Sequence, residues 1–201
     1  MCIEKSIYTP IGTICGGVER RYISTSKTKT PTPKTHIAIE VIQPLDTATV
    51  TMAKQYCDRV GFRTDFAILM DLSTHSGNYR FFGINLETKD TLIKALVAHG
   101  HCKVTDHRLP YFSNEKESNC SSLGKYRIGK KYNGAYGTSY KLHGLENTNS
   151  NAFDRFVVLH SDLCVPDVAQ ADDICQSEGC PTVSPNVLQQ LIPLLDVSNK
   201  P

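Results

Sequence analysis

The chain has 201 residues, 40% hydrophobic and 21% charged, the balance of one good-sized globular domain plus a tail. Lys and Arg number 22 against 20 Asp and Glu, a net charge of +2, which gives no argument for nucleic acid as a partner and no support for membrane-surface binding; no nucleic-acid partner is expected. No run approaches the ~18 apolar residues of a transmembrane helix, and no such segment is expected.

Residues 7–18 are mildly apolar, but Pro10 and three glycines interrupt them and Lys5 is the only nearby cation, a poor signal peptide. Residues 24–35 (STSKTKTPTPKT) carry almost no apolar group and cannot offset their ordering entropy. Residues 1–45 therefore read as an N-terminal extension with a Thr/Lys/Pro-rich linker, and 46–198 as the folded domain.

Val50, Ala53, Cys57 and Val60 recur at helical spacing, with Asp46 or Thr47 as N-cap and Gly61 as C-cap. The period then shortens. Residues 65–72, 79–86 and 91–98 read as strands joined by short turns, which favours antiparallel neighbours. Further strands are expected over 122–128, 139–145 and 155–161, separated by long polar loops such as 101–120. Ser184 and Pro185 form an N-cap and N1 pair, and Val187, Leu188, Leu191, Ile192 and Leu195 make the apolar stripe of a closing helix. The fold class is mainly β, with a few peripheral helices.

Eight cysteines (2, 15, 57, 102, 120, 164, 175 and 180) have irregular spacing, so their pairing stays open. Two segments near the C-terminus carry chemistry. FVVLHS (156–161) is an apolar strand ending in His160. SEGCPT (177–182) is a small-residue turn presenting Cys180. A thiol nucleophile needs a base, because little of it is ionised at neutral pH, and N–H donors where an oxyanion forms. Gly179 permits close backbone approach, and the N–H groups of Gly179 and Cys180 are the natural oxyanion donors. On these residues alone, a structural thiol and a hydrogen-bonded core histidine are the commoner arrangement. A Cys3His zinc set of His160, Cys164, Cys175 and Cys180 fits structural-site spacing poorly. A Cys175–Cys180 disulfide would act as a redox gate on the nucleophile.

The order of His, about twenty residues and then Ser-x-Gly-Cys resembles the signature of the L,D-transpeptidase catalytic domain. Further stretches are similar to the murein branch with a Gly-Cys-Pro context. They are AILMDLS (67–73), LVAHG (96–100), FSN (112–114), SSLGKYRIG (121–129), YNGAYGTSYKLHGLE (132–146), NAFDRFVVLHS (151–161) and SEGCPTVSP (177–185). The resemblance implies a β-sandwich-like catalytic domain. It also implies attack on the L-centre carbonyl of diaminopimelate in a peptidoglycan tetrapeptide stem, release of D-alanine, and a thioester passed to an amine or to water. It makes Cys180 the nucleophile and His160 the base, with the carbonyl of Ser161 orienting the imidazole and Ser177 and Gly179 shaping the turn. No metal or organic cofactor is implied.

Partners are peptidoglycan stem peptides, the expected state is a monomer, and the expected location is exported, in the periplasm or cell envelope. Glu178 departs from relatives that carry His there, and Pro181 and Thr182 from those with Arg or Asn soon after the cysteine. A carboxylate facing the thiol would oppose its ionisation; alternatively Glu178 reads an acceptor amine. His99, His143 and Tyr140 are candidate substrate contacts, with Tyr136 and Ser139 beside them. His75 reads as solvated turn. The competing function is a catalytically silent domain that binds wall peptides; a papain-like peptidase is disfavoured because the cysteine follows the histidine here.

Overall fold

A computed structural model describes residues 2–5, 46–104 and 110–197. The expected linker and the apolar stretch over 7–18 lie outside these. Helix α1 (Thr47–Val60) starts where Asp46 accepts a hydrogen bond from Ala48 N, 3.1 Å away, and stops at Gly61 in the left-handed region, φ 75°. Both caps follow from short-range chemistry. A carboxylate satisfies an orphan N–H, and a residue without Cβ takes φ > 0 without penalty.

Eight strands follow one order: β4 (Thr91–Ala95), β3 (Phe81–Ile84), β2 (Ala67–Met70), β1 (Cys2–Lys5), β5 (Tyr126–Gly134), β6 (Gly137–Gly144), β7 (Val158–Ser161) and β8 (Thr182–Val183). Pairing is antiparallel except β1 with β2 and β7 with β8. The domain is thus mainly β with two helices, as expected. Residues 2–5, read as part of an extension, supply the strand that bridges β2 and β5. Four residues carry too short a pattern to declare a strand; the two open edges they pair with are what order them.

All four residues of β2 are buried because the sheet is covered on both faces. Ala67 and Leu69 pack with Val50, Ala53 and Cys57 of α1. Ile68 and Met70 point the other way, into the main core with Leu188 and Leu191 of α2 (Pro185–Asp196). Burying each such aliphatic side chain contributes roughly 1.5–3 kcal/mol. Ser184 caps α2 by accepting from Val187 N at 3.2 Å, with Pro185 in the first turn.

Strands β5 and β6 form a long hairpin reversing at Ala135 and Tyr136, with Gly137 at φ 71°. On β6, Tyr140 and Leu142 point into the core, while Lys141 and His143 face out. Among the described cysteines, Cys102 bridges to Cys120 and Cys164 to Cys175. Cys57 and Cys180 stand outside both bridges. Cys164 and Cys175 are committed to each other, which rules out the Cys175–Cys180 gate and leaves the disfavoured Cys3His zinc set without two of its ligands.

Candidate active site

The turn 177–180 is held on both sides by the segment 98–101. Ser177 N donates to His99 O and His101 N to Ser177 O, both at 2.9 Å, and Ala98 N donates to Thr182 O at 2.8 Å. Within the turn, Ser177 Oγ donates to Cys180 O at 2.6 Å and accepts from Gly179 N at 3.2 Å. Gly179 sits at φ 113°, and a Cβ there would lie 2.7 Å from Cys120 O, so both conformation and space require glycine. Ser177 thus shapes the turn. The Gly179 N–H, expected as an oxyanion donor, is instead directed at Ser177 Oγ, because the side chain two residues back closes the turn onto it.

Cys180 Sγ lies 3.4 Å from Val158 N, which donates toward it, and 3.8 Å from Phe156 O. Phe156 has left-handed backbone, φ 56°, and is 78% exposed. A bulky residue in that region is strained, and such strain concentrates at functional sites.

His160, on β7, lines the same cleft as Cys180, together with Tyr136, Asp162, Gln176 and Thr182. Its Nδ1 lies 3.1 Å from Ser161 O and its Nε2 3.0 Å from Thr182 Oγ1. A carbonyl can only accept, so Nδ1 carries the proton and Nε2 is the basic nitrogen. Burial holds the His160 pKa below the ordinary value, partly offset by the Ser161 carbonyl and Asp162. Tyr136 stacks on the imidazole, centroids 4.4 Å apart and planes 27° apart. That contact follows from the hairpin turn, which carries the tyrosine out over β7.

Glu178 lines the same cleft as Cys180. Its carboxylate is 3.1 Å from His101 Nε2 and accepts from Asn119 Nδ2, so it is engaged by partners other than the thiol. His99 is 1% exposed and does not line the cleft. Its Nδ1 accepts from Arg80 Nη2 at 2.7 Å, and its Nε2 faces the Gln176 amide at 3.3 Å. Burial pulls the Arg80 guanidinium down to about 10, and its donors hold the carbonyls of Val97 and Thr74. His99 thus supports Gln176.

The Tyr140 ring is buried in the main core and its hydroxyl donates to Asp196 at 2.9 Å, because it shares the parity of Leu142 on β6. Ser139 is buried and donates to Gly137 O at 3.1 Å. His143 stacks on Phe153, centroids 4.7 Å apart, and neither residue lines the cleft. His75 bonds Asp173 at 2.8 Å.

Arg155 escaped the sequence reading. Its guanidinium donates to Ser113 O, Ser122 Oγ, Ser118 Oγ and Cys120 O, at 2.6–3.2 Å. The carbonyl it grips at Cys120 is the one that crowds Gly179, so Arg155 braces the floor of the nucleophile turn. The only signal available was a cation in the polar turn before an apolar strand.

The domain is mainly β and brings Cys180, on a glycine turn, and His160 onto one cleft. The family model of the L,D-transpeptidase catalytic domain matches residues 40–199, and the chain belongs to that family. Membership connects it to cell-wall chemistry, with peptidoglycan as the implied substrate. Neither a curated protein nor a solved structure matches the chain. No helix among the described residues is long and apolar enough to cross a membrane.

Proposed function

We propose that this chain is an L,D-transpeptidase acting on tetrapeptide stems of peptidoglycan, with Cys180 as nucleophile and His160 as general base. The observation that carries the reading is the geometry of His160. Its Nδ1 is committed to the Ser161 carbonyl, which leaves Nε2 as the basic nitrogen of a residue that lines the cleft also holding Cys180.

The Sγ proton passes to Nε2, and Sγ attacks the donor carbonyl at the L-centre of diaminopimelate. Thr182 releases Nε2 by turning its hydroxyl toward Cys180 O, 3.5 Å away. The tetrahedral intermediate collapses, the C–N bond breaks, and the D-alanine amine leaves with the proton from Nε2. A second stem's amine then attacks the thioester, gives its proton to Nε2, and the Cys180 thiol is reformed. Water in place of the amine makes the same site an L,D-carboxypeptidase. The Val158 N–H supports the reading because it points at Sγ, where it stabilises a thiolate.

Two disulfides in the described residues suit an oxidising compartment, so we place the reaction in the cell envelope, after export. The chain acts there as a monomer, and the chemistry needs no metal or organic cofactor.

The test is the intact mass of wild type and Cys180→Ala after incubation with a disaccharide-tetrapeptide donor. An adduct on wild type alone, with D-alanine released, is the expected result; an acceptor stem then separates transpeptidase from carboxypeptidase. Wild type that folds, reacts with iodoacetamide at Cys180 and forms no adduct would sink the reading and leave a silent wall-peptide-binding domain.

A further inference from the structure

We propose that the outer face of β5 and β6 beside Cys180 is a carboxylate subsite for the donor stem peptide, with Arg127 and Lys141 as its cations. The inference rests on the proposed function and adds where the donor is held.

Register puts these groups together. Arg127 is the cross-strand partner of His143, and Lys141 that of Val158. Directly paired residues share a face. Tyr126, Ile128, Tyr140 and Leu142 all point into the main core, so Arg127, Lys141 and His143 point the other way. Val158 is the residue whose N–H meets Cys180 Sγ. Lys141 therefore stands one strand spacing, about 5 Å of backbone, from the residue that holds the nucleophile.

The side chains are arranged rather than scattered. Lys141 Nζ lies 4.9 Å from the Phe153 ring centre and 5.5 Å from that of Tyr132. Phe153 also stacks on His143 with planes 18° apart. Gly129 leaves room for that imidazole, since a Cβ there would sit 2.6 Å from His143 Nε2. The result is a shelf of two rings and an imidazole with an ammonium lodged between the rings.

Among the described residues this shelf has no counter-charge. Elsewhere Lys54, Arg63, Lys125 and Lys131 each meet a carboxylate. Among the described residues, no carboxylate oxygen comes within 4 Å of Arg127 or Lys141. Burial and the repulsion of Arg127 and Lys141 hold His143 below the usual histidine range. Three basic groups gathered without an acid cost free energy, and a bound anion offsets that cost. A stem peptide carries such anions, in its C-terminal D-alanine carboxylate and in its internal carboxylates. The cleft that holds Cys180 carries Asp162 and Glu178 instead.

The test compares wild type with Arg127→Ala/Lys141→Ala in Cys180 acylation by three donors. One is the free-carboxylate tetrapeptide stem. The second has its D-alanine carboxylate as carboxamide, and the third its internal glutamyl carboxylate as carboxamide. Iodoacetamide labelling of Cys180 at equal rates in both proteins shows that fold and nucleophile survive. The expected result is a KM for the free stem raised about tenfold in the double variant, with kcat little changed. The carboxamide donor that wild type already binds weakly, and on which the variant loses nothing more, identifies the carboxylate. An unchanged KM, or an equal loss on all three donors, overturns the subsite. A binding readout separates this failure from failure of the proposed function. In Cys180→Ala protein, the free stem should raise the His143 imidazole pKa by NMR. That response without any acylation of wild type would keep the subsite and discard the transpeptidase; neither response would discard both.

Discussion

Replacing Gly179 by alanine tests whether the nucleophile turn is built as described. Two costs follow from the geometry. The residue holds φ 113°, a region where an L side chain is strained by roughly 1–3 kcal/mol. The new Cβ would also lie 2.7 Å from Cys120 O, closer than ordinary contact. That oxygen cannot retreat easily, because Arg155 Nη2 holds it at 2.6 Å and Cys120 is bridged to Cys102. The turn must move instead, and Cys180 with it. The combined loss should be about 2–4 kcal/mol, which for a domain of this size is a Tm drop of roughly 5–15 °C. A displacement approaching 1 Å at the nucleophile should slow acylation on the order of a hundredfold. Gly61→Ala is the control: φ is also positive, at 75°, but nothing lies within 4 Å of the new Cβ. It should cost only about 1 kcal/mol and leave acylation unchanged. The assays are thermal unfolding and the rate of adduct formation by mass. Gly179→Ala with the Tm of Gly61→Ala and wild-type acylation would refute the reasoning.

Three further outcomes are expected. Thr182→Val removes the hydroxyl that occupies His160 Nε2 while keeping shape; because that bond breaks before Nε2 takes the thiol proton, acylation should hold or rise by up to about fivefold, the worth of one hydrogen bond; a fall of more than twofold would show that the hydroxyl aligns the imidazole instead. His160 and His143 both have folded pKa values depressed below the ordinary 6.5, so the unfolded chain binds more protons below that pH. Their stability contribution is present above about 6.5 and falls as pH drops through the folded values; denaturant unfolding from pH 7.5 to 5 should show this decline, and a smaller slope in His160→Asn. Replacing Cys164 and Cys175 by serine opens a bridge of sequence separation 11 and should cost about 2–3 kcal/mol by loop-closure entropy. Both residues line the cleft, so acylation should fall as well; a variant with wild-type unfolding midpoint would show that other contacts already order the rim.

What the sequence by itself determined was local chemistry and order along the chain. Asp46 and Gly61 bound α1, and Ser184 with Pro185 starts α2, because caps satisfy backbone groups within a few residues. Period-two alternation marked β6 and placed His143 opposite Leu142; the same parity already placed Tyr140 inward, against its reading as a substrate contact. Glycine before Cys180 and the histidine at the end of an apolar strand were visible as residue types. Only the tertiary structure decided which distant groups meet. Residues 2–5 become a central strand through pairing with β2 and β5. Cys164 closes on Cys175 although Cys180 is nearer in sequence to Cys175. Arg155 reaches the floor of the Cys180 turn, Thr182 meets His160, and Lys141 faces outward opposite Val158. Each of these depends on register or on loop closure across many residues. Side-chain period and composition carry no record of that, because the partner's identity resides in another part of the chain.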